Sequence, residues 1–417
     1  MDVKGKNLKA STLLILLCWL VYACSYIGKV NYAANINQVM DFYQVDHSSA
    51  GLVSTFFFFA YGVGQVFNGL FCKKYNLKWM IFSSLALSGI INLVVGLTNN
   101  FDLIKFLWLF NGLSMSVLWP SLIRLLSETL DKRTMPKASM IMGTTVATGT
   151  FLVYLLSALF VKIDFKLSFY LPAGIFFMVA LIWMFFYSSL VSKAKDDNKE
   201  EEEPLSNIAK KKKVDYNKRL LIISICTLAF YGVATNLIKD GLTTWVPSIL
   251  KEQYYLDGSI SIILTLALPV VSIFANAFAI KVHKRISDFV LQCALMFLVA
   301  GIVIGCVIAG ISLNQVIITL IGFTVVCFLI SSCNSVITSI FPLFMKDKVN
   351  SGLIAGVLNG FCYLGSTISS YGLGAIADSF GWFVVFWVLF GVCVVVCFIA
   401  AVYLLINKTI SKKFFSF

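Results

Sequence analysis

The chain has 417 residues, of which 59% are hydrophobic and 13% charged, with a mean hydropathy of +0.88. Soluble globular domains average about 45–50% apolar and 25% charged residues, so the composition excludes one and specifies an integral membrane protein. The net charge of +13 needs no nucleic-acid partner, because a basic cytoplasmic face beside anionic lipid headgroups accounts for it.

Apolar runs of about 20 residues recur at 11–40, 49–72, 79–98, 103–128, 138–161, 168–191, 220–250, 259–280, 288–312, 315–344, 351–377 and 381–407. The first, preceded by Lys4, Lys6 and Lys9, imitates a signal peptide. It is too long for one and lacks a small-residue cleavage site, so we expect it to be retained as the first span. Within it the stretch SYIGKVNYAANI places Lys29 after 18 uncharged residues. If the span stopped at Gly28, Lys29 would be an interfacial anchor with its amine among the headgroups. If the helix continues to Met40, the amine lies about 16 Å below that end, deeper than a lysine usually snorkels. Tyr22, Ser25 and Tyr26 fall on the Lys29 face at helical spacing, so the amine shares its stripe with phenols. In the fourth span Arg124 has Glu128 four residues on, the spacing of a structural ion pair between helix neighbours.

Residues 192–217 are the one long polar interruption, with KEEEEP and AKKKK blocks that read as a charged linker. It divides the chain into an N-terminal bundle (1–191) and a C-terminal bundle (218–417). The seventh span repeats the pattern of the first: 19 uncharged residues from Leu220 to Ile238 precede Lys239, with Thr235, Asn236 and Thr243 on its face. Asn68 and Lys73 echo Asn276 and Lys281, and Asp131-Lys132 echoes Asp347-Lys348. Together the echoes indicate an internal duplication. The expected fold is an all-α membrane protein, twelve transmembrane helices in two pseudo-symmetric six-helix bundles. Of the 33 Lys and Arg, 26 fall on one side of that arrangement, which places both termini in the cytoplasm. Eleven scattered Cys without paired spacing read as small buried apolar residues.

Two lysines at membrane depth, one from each half, have a physical use. Each is expensive in lipid, and two beside one cavity repel. An anion between them relieves both penalties only when the halves approach, so binding favours an occluded state and can drive alternating access. Asp240 is the only acidic residue deep in an expected span. Being adjacent to Lys239, it is expected on another helix face. It is open to three readings: a counter-ion for Lys29 or Lys239, a proton carrier, or a cap or inter-helix contact where the helix breaks around Gly241.

Duplicated six-span halves, a charged central loop and cytoplasmic ends resemble the major facilitator superfamily. Within it the chain is most similar to the organophosphate:phosphate antiporters, the glycerol-phosphate and hexose-phosphate transporters. Tyr22, Tyr26, Lys29 and Asn31 match that family's span 1 pattern, with Lys for Arg. KDGLTTWVPSILKE supplies the span 7 residues Lys239, Gly241, Trp245 and Pro247, again with Lys for Arg. Trp119-Pro120 matches the span 4 element, and GVLNGFCYLGS resembles span 11 with Tyr363 in its Tyr-Leu-Gly element. A span 5 histidine aligns with Thr145 and a span 2 lysine with Gln65. The superfamily loop after span 2 reads GLFCKK, so Lys73 and Lys74 stand at the gate and Lys73 replaces its aspartate.

The resemblance implies a multi-pass transporter of the cell membrane, acting as a monomer without a cofactor. Its substrate would be a small organic anion, a sugar phosphate or glycerol phosphate in exchange for phosphate. Lys29 and Lys239 would hold the anion, with Tyr22, Tyr26 and Tyr363 shaping the cavity. A proton-coupled carboxylate or sugar-acid symporter using Asp240, and a transporter-like sensor of phosphorylated sugars, are the alternatives. No grouping of nucleophile, His and acid, or of metal ligands, suggests an enzyme.

Overall fold

A computed structural model of the chain describes residues 3–71, 75–131, 134–199, 218–345 and 351–414. Every regular element among these residues is helical. Among the described residues, eleven helices are long and apolar enough to cross a bilayer: α1 (Ala10–Ala34), α2 (His47–Asn68), α3 (Leu77–Leu97), α4 (Phe101–Thr129), α5 (Lys137–Phe160), α6 (Leu167–Lys195), α7 (Arg219–Tyr254), α8 (Gly258–His283), α9 (Phe289–Ser312), α10 (Val316–Phe344) and α11 (Ile354–Ile406). The chain is a multi-pass membrane protein.

The last two expected spans form the single 53-residue run α11. Gly381 interrupts it with φ 79° and ψ 168°, a conformation that side chains bearing a Cβ resist, so two helical pieces meet there. The first span also departs from its expected bounds. Its helix ends at Ala34, Asn35 leaves the helical region, and a short helix runs on from Ile36–Tyr43. Helices α3, α4, α8 and α9 begin where a side chain can satisfy the free N–H groups of the first turn. Asn76, Asn100, Asp257 and Asp288 accept from the backbone of Lys78, Leu103, Ser259 and Val290.

In lipid, helices gain little from hydrophobic burial against each other, so packing and interhelical hydrogen bonds hold them. Small residues therefore mark the crossings. A Cβ on Gly365 of α11 would collide with the Val233 carbonyl of α7, and one on Gly51 of α2 with the Ser370 carbonyl of α11. Within the first half α1 packs on α5 and α6, and α2 on α4; within the second, α7 packs on α10 and α11, and α9 on both.

The two ends of the helical layer are distinguishable by their contacts. At one, the distal end, Tyr43 Oη donates to the Thr98 carbonyl at 2.7 Å and Lys166 Nζ to Asn99 at 3.1 Å. At the other, the terminal end, Trp183 Nε1 donates to the Lys78 carbonyl at 3.0 Å and Tyr403 Oη to Asp288 at 3.2 Å.

Bonds that join residues 3–199 to 218–414 concentrate at the distal end. Ser248 Oγ donates to Asn37 Oδ1 at 2.7 Å, Lys251 Nζ to Asp41 at 2.6 Å, Tyr154 Oη to the Thr243 carbonyl at 2.6 Å, and Ser259 Oγ to the Ala158 carbonyl at 2.7 Å. The densest knot surrounds His47, the first residue of α2. Its Nδ1 lies 2.6 Å from Asp378 and its Nε2 2.8 Å from Glu252, while Trp382 Nε1 donates to the other Glu252 oxygen at 2.8 Å. Ionised carboxylates only accept, so both ring nitrogens act as donors and the ring is an imidazolium. The Ser48 backbone N–H adds a 2.7 Å bond to Asp378, and Trp382 meets the ring edge-on at 5.1 Å. By contrast, the terminal-end pieces Leu118–Thr129 and Phe341–Phe344 pack against helices of their own half. The described halves are thus clamped at the distal end.

This clamp predicts that His47→Ala loosens the distal end without preventing insertion. A cysteine placed at Ser248, which is fully buried here, should be labelled faster by a polar maleimide in that background. Unchanged labelling would show that His47 does not hold the halves together.

Candidate functional site

Lys29 lies five residues before the end of α1 at Ala34, and the short helix Ile36–Tyr43 carries the chain on beyond it. Its Nζ is enclosed by aromatic faces, 4.1 Å from the Tyr61 ring centroid, 5.0 Å from Tyr26 and 5.2 Å from Tyr363. It also donates to Tyr363 Oη at 3.4 Å. Each ring face offers an ammonium partial negative charge, which a lysine far from water needs. The enclosure bridges the halves: Tyr26 comes from α1, Tyr61 from α2 and Tyr363 from α11.

Tyr22 lies one turn further back. Its ring packs 4.6 Å from Trp119 and 5.5 Å from Tyr26, so it backs the site rather than reaching the ammonium. Asn31, the fourth residue of the span 1 motif, has a different task. Its Nδ2 donates to Asn92 Oδ1 and to the Ser168 carbonyl, both at 2.9 Å, tying α1 to α3 and α6.

Lys239 and Asp240 correct two expectations. The helix is continuous through Gly241, running unbroken across Lys218–Tyr254. Gly241 is there for close approach, since a Cβ would press on Leu373 of α11. Adjacent residues do not face one another on a helix, yet Lys239 Nζ lies 3.3 Å from Asp240 Oδ1. The four methylenes of lysine are long enough to fold the amine round the helix to its neighbour. Side-chain exposure is 27% for Lys239 and 15% for Asp240.

A directed hydrogen-bond chain holds the carboxylate. Asn334 Nδ2 of α10 donates to Asn236 Oδ1 at 2.7 Å, Asn236 Nδ2 to Ser366 Oγ at 3.0 Å, and Ser366 Oγ to Asp240 Oδ2 at 2.5 Å. Tyr363 and Ser366 are three residues apart on α11, so one helix face touches both cationic centres. Through that face α11 links Lys29 to the Lys239–Asp240 pair.

The same face of α11 continues to the distal clamp. Thr55 Oγ1 of α2 donates to the Thr367 carbonyl at 3.0 Å, Ser370 and Gly374 make the close crossings with Gly51 and His47, and Asp378 binds His47. Toward the terminal end, Asn359 Nδ2 donates to Gln65 Oε1 at 3.2 Å.

Other expected residues lie away from this centre. Arg124 Nε donates to Glu128 Oε1 at 2.6 Å within α4. Thr145 turns its hydroxyl to the Met142 carbonyl at 2.5 Å. Lys73 and Lys74 lie outside the described residues.

Sequence reasoning missed Tyr61, the ring nearest Lys29, together with Ser366 and Asn334. Tyr61 sits four residues before Gln65, the helical spacing that shares a face, and that signal was present in the sequence.

The profile of the Major Facilitator Superfamily matches residues 18–370. The chain belongs to that superfamily. Its relatives there include the Membrane sensor protein UhpC of Escherichia coli (strain K12), 26% identical over 99 residues, 24% of this chain and 23% of that protein. Glucose-6-phosphate exchanger SLC37A2 of Bos taurus is 29% identical over 145 residues, 33% and 29% of the two chains. Sugar phosphate exchanger 3 of Homo sapiens is 21% identical over 377 residues, 81% and 76%. The match thus spans less than a third of the first two relatives. All three point to the organophosphate:phosphate antiporter group that the span 1 and span 7 residues resemble.

Among solved structures, a bacterial homologue of the human lysosomal transporter Spinster, inward-facing and occupied, superposes with TM-score 0.72 at 13% identity, covering 96% of this chain and 97% of that one. A mutant of the nucleoside transporter NupG gives TM-score 0.68 at 12% identity, covering 94% and 99%. At such identities the likeness establishes the major facilitator fold.

The enclosure of Lys29 yields a stability prediction. Tyr61→Leu removes its nearest ring, a loss of about 0.5–2 kcal/mol, and should lower the melting temperature by about 1–4 °C. Tyr61→Phe keeps the ring face and should stay near wild type. Equal losses in the two variants, by thermal unfolding in detergent, would assign the effect to the hydroxyl.

Proposed function

We propose that this chain is a secondary transporter of a small organic anion, a sugar phosphate or glycerol phosphate, taken in exchange for inorganic phosphate by alternating access. One observation carries the reading: Lys29 and the Lys239–Asp240 pair, one from each half of the chain, meet the same face of α11 through Tyr363 and Ser366. The sugar phosphate exchangers among its relatives support the substrate class.

In this reading α11 counts as two spans meeting at Gly381, giving twelve, arranged as bundles 1–191 and 218–417. Both termini are cytoplasmic, the basic face lies against anionic lipids of the plasma membrane, and a monomer suffices. The clamped distal end then faces outward, and the described state is inward-facing. An anion entering from the cytoplasm meets Lys239 on the second half and Lys29 on the first. Holding both draws the halves together at the terminal end and loads the distal clamp for opening. Lysine supplies a point charge rather than the bidentate fork of arginine, so orientation of the bound group falls to the surrounding hydroxyls of Tyr26, Tyr61 and Tyr363.

Two specific observations favour second readings. Asp240 beside Lys239 suits a proton-coupled carboxylate symporter, for which uptake would follow a pH gradient without trans phosphate. The match to a membrane sensor suits a receptor, which would bind without flux.

The test is exchange of radiolabelled phosphate against glycerol phosphate, hexose phosphates and dicarboxylates in proteoliposomes. Removing one partner of a buried charged contact costs about 2–5 kcal/mol, so Lys29→Ala and Lys239→Ala should each reduce exchange by about 30-fold or more. Near-normal exchange in both variants would remove the lysines from the site.

A further inference from the structure

An anion exchanger is obligatory when its empty form cannot reorient. With the substrate absent, cations left facing one another in a closed, water-poor site repel and lack partners, and that penalty stops the empty halves from passing through the occluded state. Only a loaded carrier then crosses, and every anion leaving must be replaced by another.

In this protein the empty site has its own partners. Lys239 already has a carboxylate 3.3 Å away. That carboxylate is not an incidental neighbour: three successive hydrogen bonds from three helices run toward it, Asn334 to Asn236, Asn236 to Ser366, and Ser366 to Asp240. Every donor in the chain points the same way, so the side chains of α7, α10 and α11 are oriented to receive a negative charge at Asp240. Lys29 has the Tyr61, Tyr26 and Tyr363 rings and the Tyr363 hydroxyl. With both lysines protonated, the two lysines and one carboxylate carry a single net positive charge. The partners of Lys239 belong to elements that remain together when the halves rock, since Lys239, Asp240, Asn236, Asn334 and Ser366 all lie in the second half.

We propose that Asp240 is a built-in counter-ion that lets the carrier reorient empty, so that net one-way movement of the anion accompanies exchange and exchange is not obligatory. Ser366 and Asn236 are positioning residues: they hold the carboxylate against Lys239 and make no contact with the transported anion. The inference rests on the reading of this centre as an anion transport site.

The experiment compares two rates from the same proteoliposomes, preloaded with radiolabelled phosphate and with the membrane potential clamped by potassium and valinomycin. One rate is efflux into anion-free medium; the other is efflux into medium containing unlabelled phosphate. In the wild type the first should lie within a few-fold of the second. Asp240→Asn keeps the shape and removes the charge, leaving Lys239 without its counter-ion, and should lower the ratio of net efflux to exchange by about tenfold or more. Asp240→Glu should restore the ratio. Ser366→Ala, which removes one hydroxyl and is tolerated more readily in folding, should shift the ratio in the same direction by a smaller factor.

Wild-type exchange without measurable net efflux would overturn the proposal while leaving the transport reading standing. An unchanged ratio in both Asp240→Asn and Ser366→Ala would overturn it equally. Loss of both rates in the wild type, with every phosphate compound tried, would remove the transport reading and the counter-ion role with it.

Discussion

An ammonium group far from water must find its partners inside the protein, and this requirement organises the centre of the molecule. Lys29 is enclosed by phenol rings from three helices. Lys239 folds back to an adjacent carboxylate that neighbouring amides and a hydroxyl hold in place. Two cations of the same type are thus stabilised in two ways, one by diffuse π charge and one by a formal negative charge. The difference is chemical: the rings offer Lys29 no formal charge, whereas a carboxylate sits directly against Lys239.

Helix α11 connects this centre to the rest of the fold. Tyr363, Ser366, Thr367, Ser370, Gly374 and Asp378 recur at helical intervals on one face, and each meets α1, α2 or α7. Packing in lipid draws little from the hydrophobic effect, so a stripe of small and polar residues is what lets α2 and α11 approach along their length. The stripe carries the aromatic contact at the site and the His47 clamp at the distal end on one rigid element. A rigid-body rotation that breaks the clamp therefore also moves Tyr363 relative to Lys29.

The departures from the antiporter pattern follow one chemical direction. Lysines replace two arginines, Gln65 a lysine and Thr145 a histidine. Each change leaves the centre with fewer fixed donors for a phosphate, and Asp240 reduces its positive charge further. Phenols and amides supply the remaining polarity, with Gln65 bonded to Asn359 and Thr145 to its own helix. If this centre binds an anion as proposed, it does so more softly than a pair of arginine forks would.

Lipid constrains a chain so strongly that its sequence alone determined much of this protein. Backbone groups must be satisfied within each span, so apolar run length located the helices, as at Leu77–Leu97 and Phe289–Ser312. The expense of charge in lipid singled out Lys29, Lys239 and Asp240 before any contact was known. The helical repeat brought Tyr26 to the Lys29 face, and the resemblance to the antiporters added Tyr363. Only the tertiary structure decided which groups answer those charges. Tyr61 and Ser366 carry no charge; Tyr61 shares the helix face of Gln65, but nothing in the sequence says that this face meets Lys29, and Ser366 reads as a packing residue. The Lys239–Asp240 contact defied the helix-face rule because a flexible stem, not backbone geometry, makes it. The His47 clamp joins residues 205 and 331 positions apart, and local periodicity holds no information about which distant turns will meet.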